Sequence, residues 1–269
     1  MRIMPTSKTK NPANVQVIER GCKILNHLAQ GRLSHSIHDL SREVGLPKPT
    51  VHRILATLRN FGFVTQDESS KEYRLGFRLV ELGQIVLDQI DLRKVAKPFL
   101  TELADQVEEV VHLVIMEQGK IAYLDKVEKV NELKSLRMVS RIGMRGHAHS
   151  CAVGKVLLSF LPENERAAIF KQRGLPRMTK NTMVDPVLLN QHLAKVKAQG
   201  YAVDEEENEE GVRCVAAPVR DDRGRVIAAI SVSGPSVRMT KERIHGGLKN
   251  QVIQTALNIS RTLGYRPVA

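Results

Sequence analysis

The 269-residue sequence contains no tryptophan, and aromatic residues make up only 4% of it. Surfaces that bind RNA or single-stranded DNA by base stacking need exposed aromatic rings, so the composition argues against that class. The three cysteines, Cys22, Cys151 and Cys214, are far apart and form no CxxC or Cys/His ligand spacing. Neither a disulfide scaffold nor a zinc site is indicated. We therefore predict no metal, no cofactor and a reducing, cytoplasmic location.

The sequence also lacks a long apolar segment. No run approaches the ~18 residues that a transmembrane helix needs, and the basic, polar start MRIMPTSKTKNPANVQ is unlike a signal peptide. We predict no membrane partner. A hydrophobic fraction of 42% and a charged fraction of 26% are typical of a soluble globular protein. The length is comfortable for two domains.

Positive charge is concentrated near the N-terminus. The net charge is +12, and residues 1–75 carry 12 Lys and Arg against 6 Asp and Glu. The remaining 29 basic and 23 acidic residues spread the same excess over a much longer segment. Such a charge density favours a polyanionic partner through counterion release. On charge alone, a basic but inert surface remains an equal alternative.

Three short helices are predicted after a polar segment, residues 1–14, that has the composition of a disordered basic tail. The first begins near Val17 and ends at Gly31; its apolar residues fall on one helical stripe, namely Ile18, Cys22, Leu25 and Leu28. In the second helix, Ser36 and Asp39 form a capping box, and Gly45 provides the C-terminal stop.

The third helix begins within the sequence LPKPTVHRIL. Because a residue before proline is disfavoured in the α region, Lys48 is predicted at the N-cap and Pro49 at the first helical position. An inward stripe follows, made of Val51, Ile54, Leu55 and Leu58. The opposite, outward face carries Pro49, Arg53, Ala56, Thr57 and Asn60, flanked by Thr50 and His52.

This outward face is the predicted DNA-reading surface. Arg53 is the candidate for a bidentate contact with guanine, whereas Lys48, Thr50 and His52 are candidates for phosphate or base-edge contacts. Two short strands around residues 63–66 and 73–75 are separated by DESSKE, which places Lys71 near the tip of a hairpin. Lys71 is predicted to contact the DNA backbone or minor groove. Three helices and a hairpin make a winged helix-turn-helix. The alternative for the third helix is an ordinary solvated surface helix.

The rest of the chain predicts an α+β domain. Residues 77–107 are largely helical, with a linker helix that has a dimerising face and a second helix from Asp91 that Pro98 interrupts or bends. Strands are predicted at 110–116, 121–128, 135–140, 212–221 and 225–235, and helices at 151–161, 185–200 and 241–263. The acidic run 204–210 is expected to be a loop. Together these elements favour an antiparallel sheet with helices packed on it.

Four collinear segments resemble the IclR family of bacterial transcription regulators. They are DLSREVGLPKPTVHRILATLRNFGFV, the wing ending YRLG, RIGMRGHAHSCAVGKVLL, and GYAVDEEENEEGVRCVAAPVRDDRGRVIAAISVSGP. The resemblance covers about residues 15–265. It implies a winged helix-turn-helix DNA-binding domain at 15–76, a linker or dimerisation helix at 77–92, and a GAF-like effector-binding domain at 93–269. It also implies homodimers that pair as tetramers on an operator of double-stranded DNA.

The resemblance assigns roles to individual positions. The recognition-helix positions are Lys48, Pro49, Thr50, His52 and Arg53. The effector-binding positions are Met138, His149, Ala152, Val153, Asp204, Cys214, Ser231 and Ser233. Two residues depart from the family pattern: Pro49 replaces a small hydroxyl residue, which removes one phosphate hydrogen bond, and His147 stands where many members have proline.

The residues themselves leave three functions open. Ser231 and Ser233 alternate along ISVSG, so both hydroxyls lie on the same side of a strand, where a small carboxylate or sugar acid could satisfy them; hydroxyls satisfied within a turn are the alternative. This favours a ligand-responsive repressor without enzymatic activity. An enzyme that uses Cys214 as nucleophile is the first alternative, although Cys214 is also typical of a core position. A purely architectural DNA-binding protein is the second.

Overall fold

The computed structural model describes residues 15–30, 32–88, 91–128 and 140–266. The chain divides into two compact units between residues 89 and 90. The predicted tail 1–14 and most of the predicted strand 135–140 lie outside the described residues. Ser140, the last residue of that segment, is described and is not in a strand.

The first unit contains α1 (Gln16–Leu28), α2 (Ile37–Val44), α3 (Lys48–Asn60), a hairpin of β1 (Val64–Gln66) and β2 (Tyr73–Leu75), and α4 (Arg78–Asp88). The two strands pair antiparallel, as predicted for a wing. A small core joins the three helices to the hairpin, and its fully buried members include Ile24, Leu40, Val51 and Leu55.

Helix α2 has the predicted ends. The backbone N–H of Asp39 donates to Ser36 Oγ at 3.1 Å, and the Ser36 hydroxyl donates to the Asp39 carboxylate at 2.8 Å. Gly45 ends the helix with a φ of +65°, a left-handed conformation that glycine adopts without strain. Of the stripe predicted on α1, Leu28 is buried and Leu25 is partly buried against the core, whereas Cys22 is exposed and Ile18 is 63% exposed. The fully buried residue of α1 is Ile24, which the prediction did not include.

Helix α3 begins one residue earlier than predicted. Pro47, with φ −58° and ψ 140°, is the N-cap, and Lys48 is the first helical residue. The carbonyl oxygen of Pro47 accepts from the backbone N–H groups of Thr50 and Val51. The reason is that the second helical position also needs no N–H donor, so Pro49, which lacks an N–H, is tolerated there. The inward stripe is confirmed, since Val51 and Leu55 are fully buried.

The second unit is built on one antiparallel sheet, which confirms the predicted α+β class. Its strands are β3 (Val110–Glu117), β4 (Lys120–Val127), β5 (Arg145–Gly146), β6 (Ala202–Glu205), β7 (Val212–Arg220) and β8 (Val226–Pro235). They lie in the order β5-β4-β3-β8-β7-β6, so β6 is an edge strand. Strand β6 corrects the prediction of a loop from residue 204, because Asp204 and Glu205 pair with β7.

Helices cover both faces of this sheet. On one face, α5 (Asp91–Val107) and α10 (Lys249–Thr262) bury alternate residues of the strands, such as Val215 and Ile230. On the other face, α6 (Ala152–Ser159) and α8 (Pro186–Gln199) pack against the intervening residues, such as Ala216 and Ala229. Because side chains alternate along a strand, Ser231 and Ser233 share the α6 face with Ala229.

Three further features were not predicted. A helix α7 (Glu163–Arg173) precedes α8. The predicted terminal helix is divided into α9 (Lys241–Arg243), a π-helical segment (Ile244–Leu248) and α10. Helix α5 starts at Asp91 as predicted but continues through Pro98. Among the described helices, none has the length and apolar character to cross a membrane.

Candidate functional site

The outward face of α3 carries every predicted DNA-contact residue of that helix. Lys48, Pro49, His52, Arg53 and Thr57 are exposed, and Thr50 is half-buried. The Thr57 hydroxyl donates to the carbonyl oxygen of Arg53 at 3.1 Å, so it is satisfied within the helix. The exposed cationic groups on this face are those of Lys48 and Arg53.

The wing is tied to the end of α3 by side chains. Arg59 donates to the Gln66 side chain at 2.9 Å, and Gln66 donates to the backbone carbonyl of Lys71 at 3.0 Å. At the tip, the Asp67 carboxylate accepts from the side chains and backbone N–H groups of Ser69 and Ser70. These hydrogen bonds, the Ser69 hydroxyl first, hold the pKa of Asp67 well below its usual value. The tip that presents Lys71 is therefore a fixed turn.

A small cavity in the second unit lies between the α6 face of the sheet and the N-terminus of α6. Its lining includes six of the eight predicted effector positions. The full lining is His112, Tyr123, Cys151, Ala152, Val153, Asp204, Asn208, Glu209, Val212, Cys214, Ser231 and Ser233. The cavity volume is about 30 Å³, which is room for about one water molecule.

The N-terminus of α6 is held close to this cavity by backbone packing. A Cβ on Gly154 would lie 2.1 Å from the carbonyl oxygen of Ala148, so only glycine permits the approach. Cys151 is the N-cap and makes no side-chain capping bond. The Ser150 hydroxyl donates to Asn208 at 2.9 Å, which joins the start of α6 to the turn that follows β6. The N–H groups of the first helical turn have no partner within the helix, which makes them potential donors for an anion.

The floor of the cavity is a neutral hydrogen-bonding network. His112 is 2% exposed; its Nε2 lies 2.8 Å from the Ser140 hydroxyl, and its Nδ1 lies 3.4 Å from the Ser233 hydroxyl. Burial lowers the pKa of His112 to about 3, so the imidazole is uncharged at neutral pH. Tyr123 packs edge-on against it with ring centroids 5.1 Å apart, and burial raises the pKa of its hydroxyl.

Asp204 is the acid of this cavity whose pKa is most clearly displaced. It is 1% exposed, and burial raises its pKa to about 7 against the opposing effect of Lys155. The backbone N–H of Glu207 donates to Asp204 Oδ1 at 2.7 Å. Among the described lining residues there is no Lys or Arg. An anion bound here would be held by hydroxyl and backbone N–H donors, beside a carboxyl group that is protonated at moderately acidic pH.

The two thiols of the cavity are unsuited to nucleophilic catalysis. Burial raises the pKa of Cys151 to about 12, and burial together with Asp204 raises the pKa of Cys214 well above its usual value. A thiol nucleophile needs a lowered pKa or an adjacent base. His112 lies in the same lining, but it hydrogen-bonds to serine hydroxyls. The chemistry of the site therefore argues against the enzyme alternative.

Of the two remaining predicted effector residues, His149 is described and Met138 is not. His149 is 3% exposed, but its Nε2 donates to the carbonyl oxygen of Pro176 at 2.9 Å and it is absent from the described lining. In this structure His149 anchors the segment before α6, and its role in effector binding stays a prediction. Met138 lies outside the described residues.

Sequence reasoning missed several lining residues and one buried charge pair. His112 interrupts the apolar strand VVHLVIM, and Lys155 interrupts the apolar helix AVGKVLLS. A single polar residue in such a run was the available signal. Lys155 is fully buried and donates to Glu207 and to the carbonyl oxygen of Val203. Over the described residues, no group of three or more His, Cys, Asp or Glu side chains is placed to hold a metal ion.

Comparison with known proteins finds family matches for both the N-terminal and the C-terminal part of the chain. Residues 17–68 match the model of the IclR helix-turn-helix domain, and residues 84–261 match the model of the IclR C-terminal domain of bacterial transcriptional regulators. The regulator XynR of Escherichia coli K12 is 38% identical over 251 residues, which are 93% of this chain and 98% of XynR.

Two further relatives span nearly the full chain. The transcriptional repressor AllR of Klebsiella pneumoniae is 35% identical over 94% of this chain and 92% of its own. A crystal structure of an IclR homologue from Microbacterium hydrocarbonoxydans, complexed with 4-hydroxybenzoate, superposes with a TM-score of 0.78 at 25% identity and covers 92% of this chain and 98% of that one. The chain therefore belongs to the IclR family of bacterial transcriptional regulators, and it is a DNA-binding regulator rather than an enzyme.

Proposed function

We propose that this regulator is a metabolite-responsive repressor that releases its operator when a small hydroxylated carboxylate enters the cavity beneath α6. The observation that carries the proposal is the convergence of Asp204, Ser231, Ser233 and the α6 N-terminus on one buried cavity. The name of AllR supports repression, and the 4-hydroxybenzoate complex of the Microbacterium homologue supports an effector that bears both a hydroxyl and a carboxylate group.

The DNA contacts follow from the exposed face of α3. Arg53 reads a guanine in the major groove, since a guanidinium can donate to O6 and N7 together. Lys48, at the first helical position, and the polar groups of Thr50 and His52 contact phosphates or base edges. Pro49 and Thr57 complete the face against the groove. Lys71 on the wing contacts the DNA backbone.

Recognition of the effector follows from the charges of the cavity. Its carboxylate accepts hydrogen bonds from the free N–H groups at the start of α6, beside Ala152 and Val153. Its hydroxyl groups exchange hydrogen bonds with Ser231, Ser233 and Asp204. Cys214 packs against the apolar part of the molecule. A sugar acid meets these requirements, because it combines one carboxylate with several hydroxyls.

Binding has to be coupled to a change of structure. The cavity volume of about 30 Å³ is far below that of a typical metabolite site. A sugar acid therefore displaces the lining, and the two movable walls are the start of α6 and the turn at residues 206–211, which Ser150 and Asn208 connect. Since a ligand shifts an equilibrium by its differential affinity, the expanded state is the effector-bound state of the repressor.

The first unit also suggests a homodimer. Apolar side chains on α1 and α4 are more than half exposed: Val17 at 60%, Ile18 at 63%, Val80 at 59% and Ile85 at 51%. Phe77, just before α4, is 71% exposed. Apolar patches of this kind mark protein interfaces. We propose that they pair two chains and that two such dimers assemble on the operator.

A thermal-shift screen against central-carbon and sugar acids, followed by operator binding with and without the hit, tests this function. We expect at least one hydroxylated acid to raise the melting temperature and to weaken operator binding. Operator affinity that is insensitive to every acid that binds would contradict the repressor mechanism.

A further inference from the structure

A second cleft lies at the edge of the sheet, on the far side of the turn that follows β6. Its volume is about 650 Å³. Residues 205–207 form one wall, α8 contributes His192 and Gln199, and the π-helical segment contributes His245. None of its lining residues lines the cavity beneath α6. The two sites are separate, although both use the segment 204–209.

Three buried polar atoms of residues that line this cleft lack hydrogen-bond partners within the described part of the chain, namely Glu207 Oε2, His192 Nε2 and Arg213 Nε. Glu207 is 4% exposed; its Oε1 accepts from Lys155, whereas its Oε2 has no partner. The Nε2 atom of His192 is also buried without a partner. Leaving a buried polar atom unpaired is destabilising. All three residues line the cleft, so a molecule seated there can satisfy them.

The charges around the cleft already balance. Arg213 pairs with Glu206 at 3.0 Å, Lys241 pairs with Glu205 at 3.3 Å, and Lys155 pairs with Glu207. His192 is neutral at physiological pH, since burial and then Lys155 lower its pKa to about 4. A charged ligand would face no uncompensated opposite charge among these groups. The cleft therefore favours a neutral molecule.

Hydroxyl groups match the three unpaired atoms, since a hydroxyl can also accept from the N–H of Arg213 Nε. The Glu207 carboxylate oxygen can only accept a hydrogen bond, whereas a neutral imidazole Nε2 accepts or donates according to its tautomer. A hydroxyl donates to the first and serves the second in either tautomer. Tyr201, Met183 and Val203 add apolar surface to the same lining, which suits the C–H faces of a carbohydrate.

The wall opposite residues 205–207 has an unusual backbone. The π-helical segment Ile244–Leu248 interrupts the C-terminal helix where His245 lines the cleft. π-Helical turns are rare and concentrate at functional sites. This feature is independent of the unpaired atoms, and it occurs at the same cleft.

We propose that this cleft is a second ligand site, which binds a neutral sugar or polyol through Glu207 and His192. This second site is distinct from the proposed effector cavity, because its ligand is uncharged and different residues line it. Glu207 links the two sites, since its backbone N–H donates to Asp204 and its side chain pairs with Lys155 on α6.

Isothermal titration of the full-length protein with D-xylose, D-glucose, D-mannitol and myo-inositol tests the proposal. We expect saturable binding of at least one of them. His192→Phe keeps a ring of similar size but removes the Nε2 hydrogen bond, and it should weaken that binding about tenfold or more. If His192→Phe does not fold, Met183→Trp takes its place. The larger side chain fills part of the cleft and should weaken sugar binding by a similar factor. Circular dichroism establishes that each variant is folded.

Two controls separate this site from its neighbours. Gln191→Ala alters the adjacent exposed residue of α8 and should leave binding unchanged. Ser231→Ala alters the effector cavity and should also leave it unchanged. The proposal is overturned if none of the four compounds binds, which would make the cleft a hydrated surface only. It is equally overturned if Ser231→Ala abolishes binding, or if both folded cleft variants bind as the wild type does.

Discussion

Asp204 and Cys214 lie directly opposite each other on β6 and β7, and both side chains line the cavity beneath α6. The pairing places a buried carboxyl group beside a half-buried thiol. Burial and then the Asp204 charge raise the pKa of Cys214, and burial raises the pKa of Asp204 to about 7. Cys214 is therefore neutral and Asp204 is only partly ionised near neutral pH, so we expect hydrogen bonding rather than charge to select the proposed ligand.

Asp204→Asn should alter the pH dependence of stability. The folded pKa of about 7 lies above the unfolded value of 3.8, so the folded chain binds more protons between these values and stability falls as pH rises through this window. Each unit of displacement corresponds to about 1.4 kcal/mol. Asp204→Asn should remove this decline and be more stable than the wild type at about pH 8.

Urea unfolding followed by circular dichroism, at several values from about pH 5 to pH 8, measures this effect. His112 contributes the opposite slope, because its pKa is lowered from 6.5 to about 3 and its contribution is lost as the pH falls through that range. His112 is present in both proteins, so the difference between them isolates Asp204. Parallel pH profiles for the two would contradict the displaced pKa.

Arg53→Ala and Lys71→Ala should weaken DNA binding in different ways. Loss of a bidentate guanine contact costs roughly 1–3 kcal/mol of discrimination, so Arg53→Ala should bind a selected operator and a scrambled duplex with similar affinity. Lys71→Ala should weaken both duplexes alike and reduce the salt slope by about 1. Gel-shift titrations at several salt concentrations distinguish these results.

A suitable control for both is Lys23→Ala, which removes a cation that is paired with Glu19 on α1. It should leave the preference for the operator unchanged. If Arg53→Ala keeps the full preference, the base-reading role of Arg53 is wrong.

Ser231→Ala and Ser233→Ala should each reduce the thermal shift produced by an acidic effector. Both hydroxyls are buried in the cavity lining, so each variant removes a hydrogen bond worth about 1 kcal/mol. Thr101→Ala removes a hydroxyl on the exposed side of α5 and should leave the shift intact. An undiminished shift in both serine variants would place the effector elsewhere.

The cavity thiols should be slow to react. In a Cys22→Ser background, we expect neither Cys151 nor Cys214 to react rapidly with Ellman's reagent near pH 8, since the thiolate is the nucleophile and the pKa of both is raised. Denaturant should expose both at once. A rapid reaction of one native thiol would show that the cavity activates it, and would reopen the enzyme alternative.

Local chemistry made the first unit largely predictable. The cap at Ser36, the stop at Gly45 and the inward stripe through Val51 and Leu55 depend on residues a few positions apart, and the structure has all of them. Lys48 was misplaced by one position, because two prolines offered two acceptable starts for α3. The alternation of Ser231 and Ser233 was similarly a local property of one strand.

Only the tertiary structure decided which distant groups meet in the second unit. His149 was predicted for the cavity, but it bonds to Pro176, while His112, on a strand far away in sequence, pairs opposite Ser231. Lys155 and Glu207 find each other across 52 positions. Such contacts depend on strand order and on how α6 packs over the sheet, and no periodicity encodes them. The sequence by itself determined the local helices and strands and the apolar face of each. The packing determined which buried polar groups became partners.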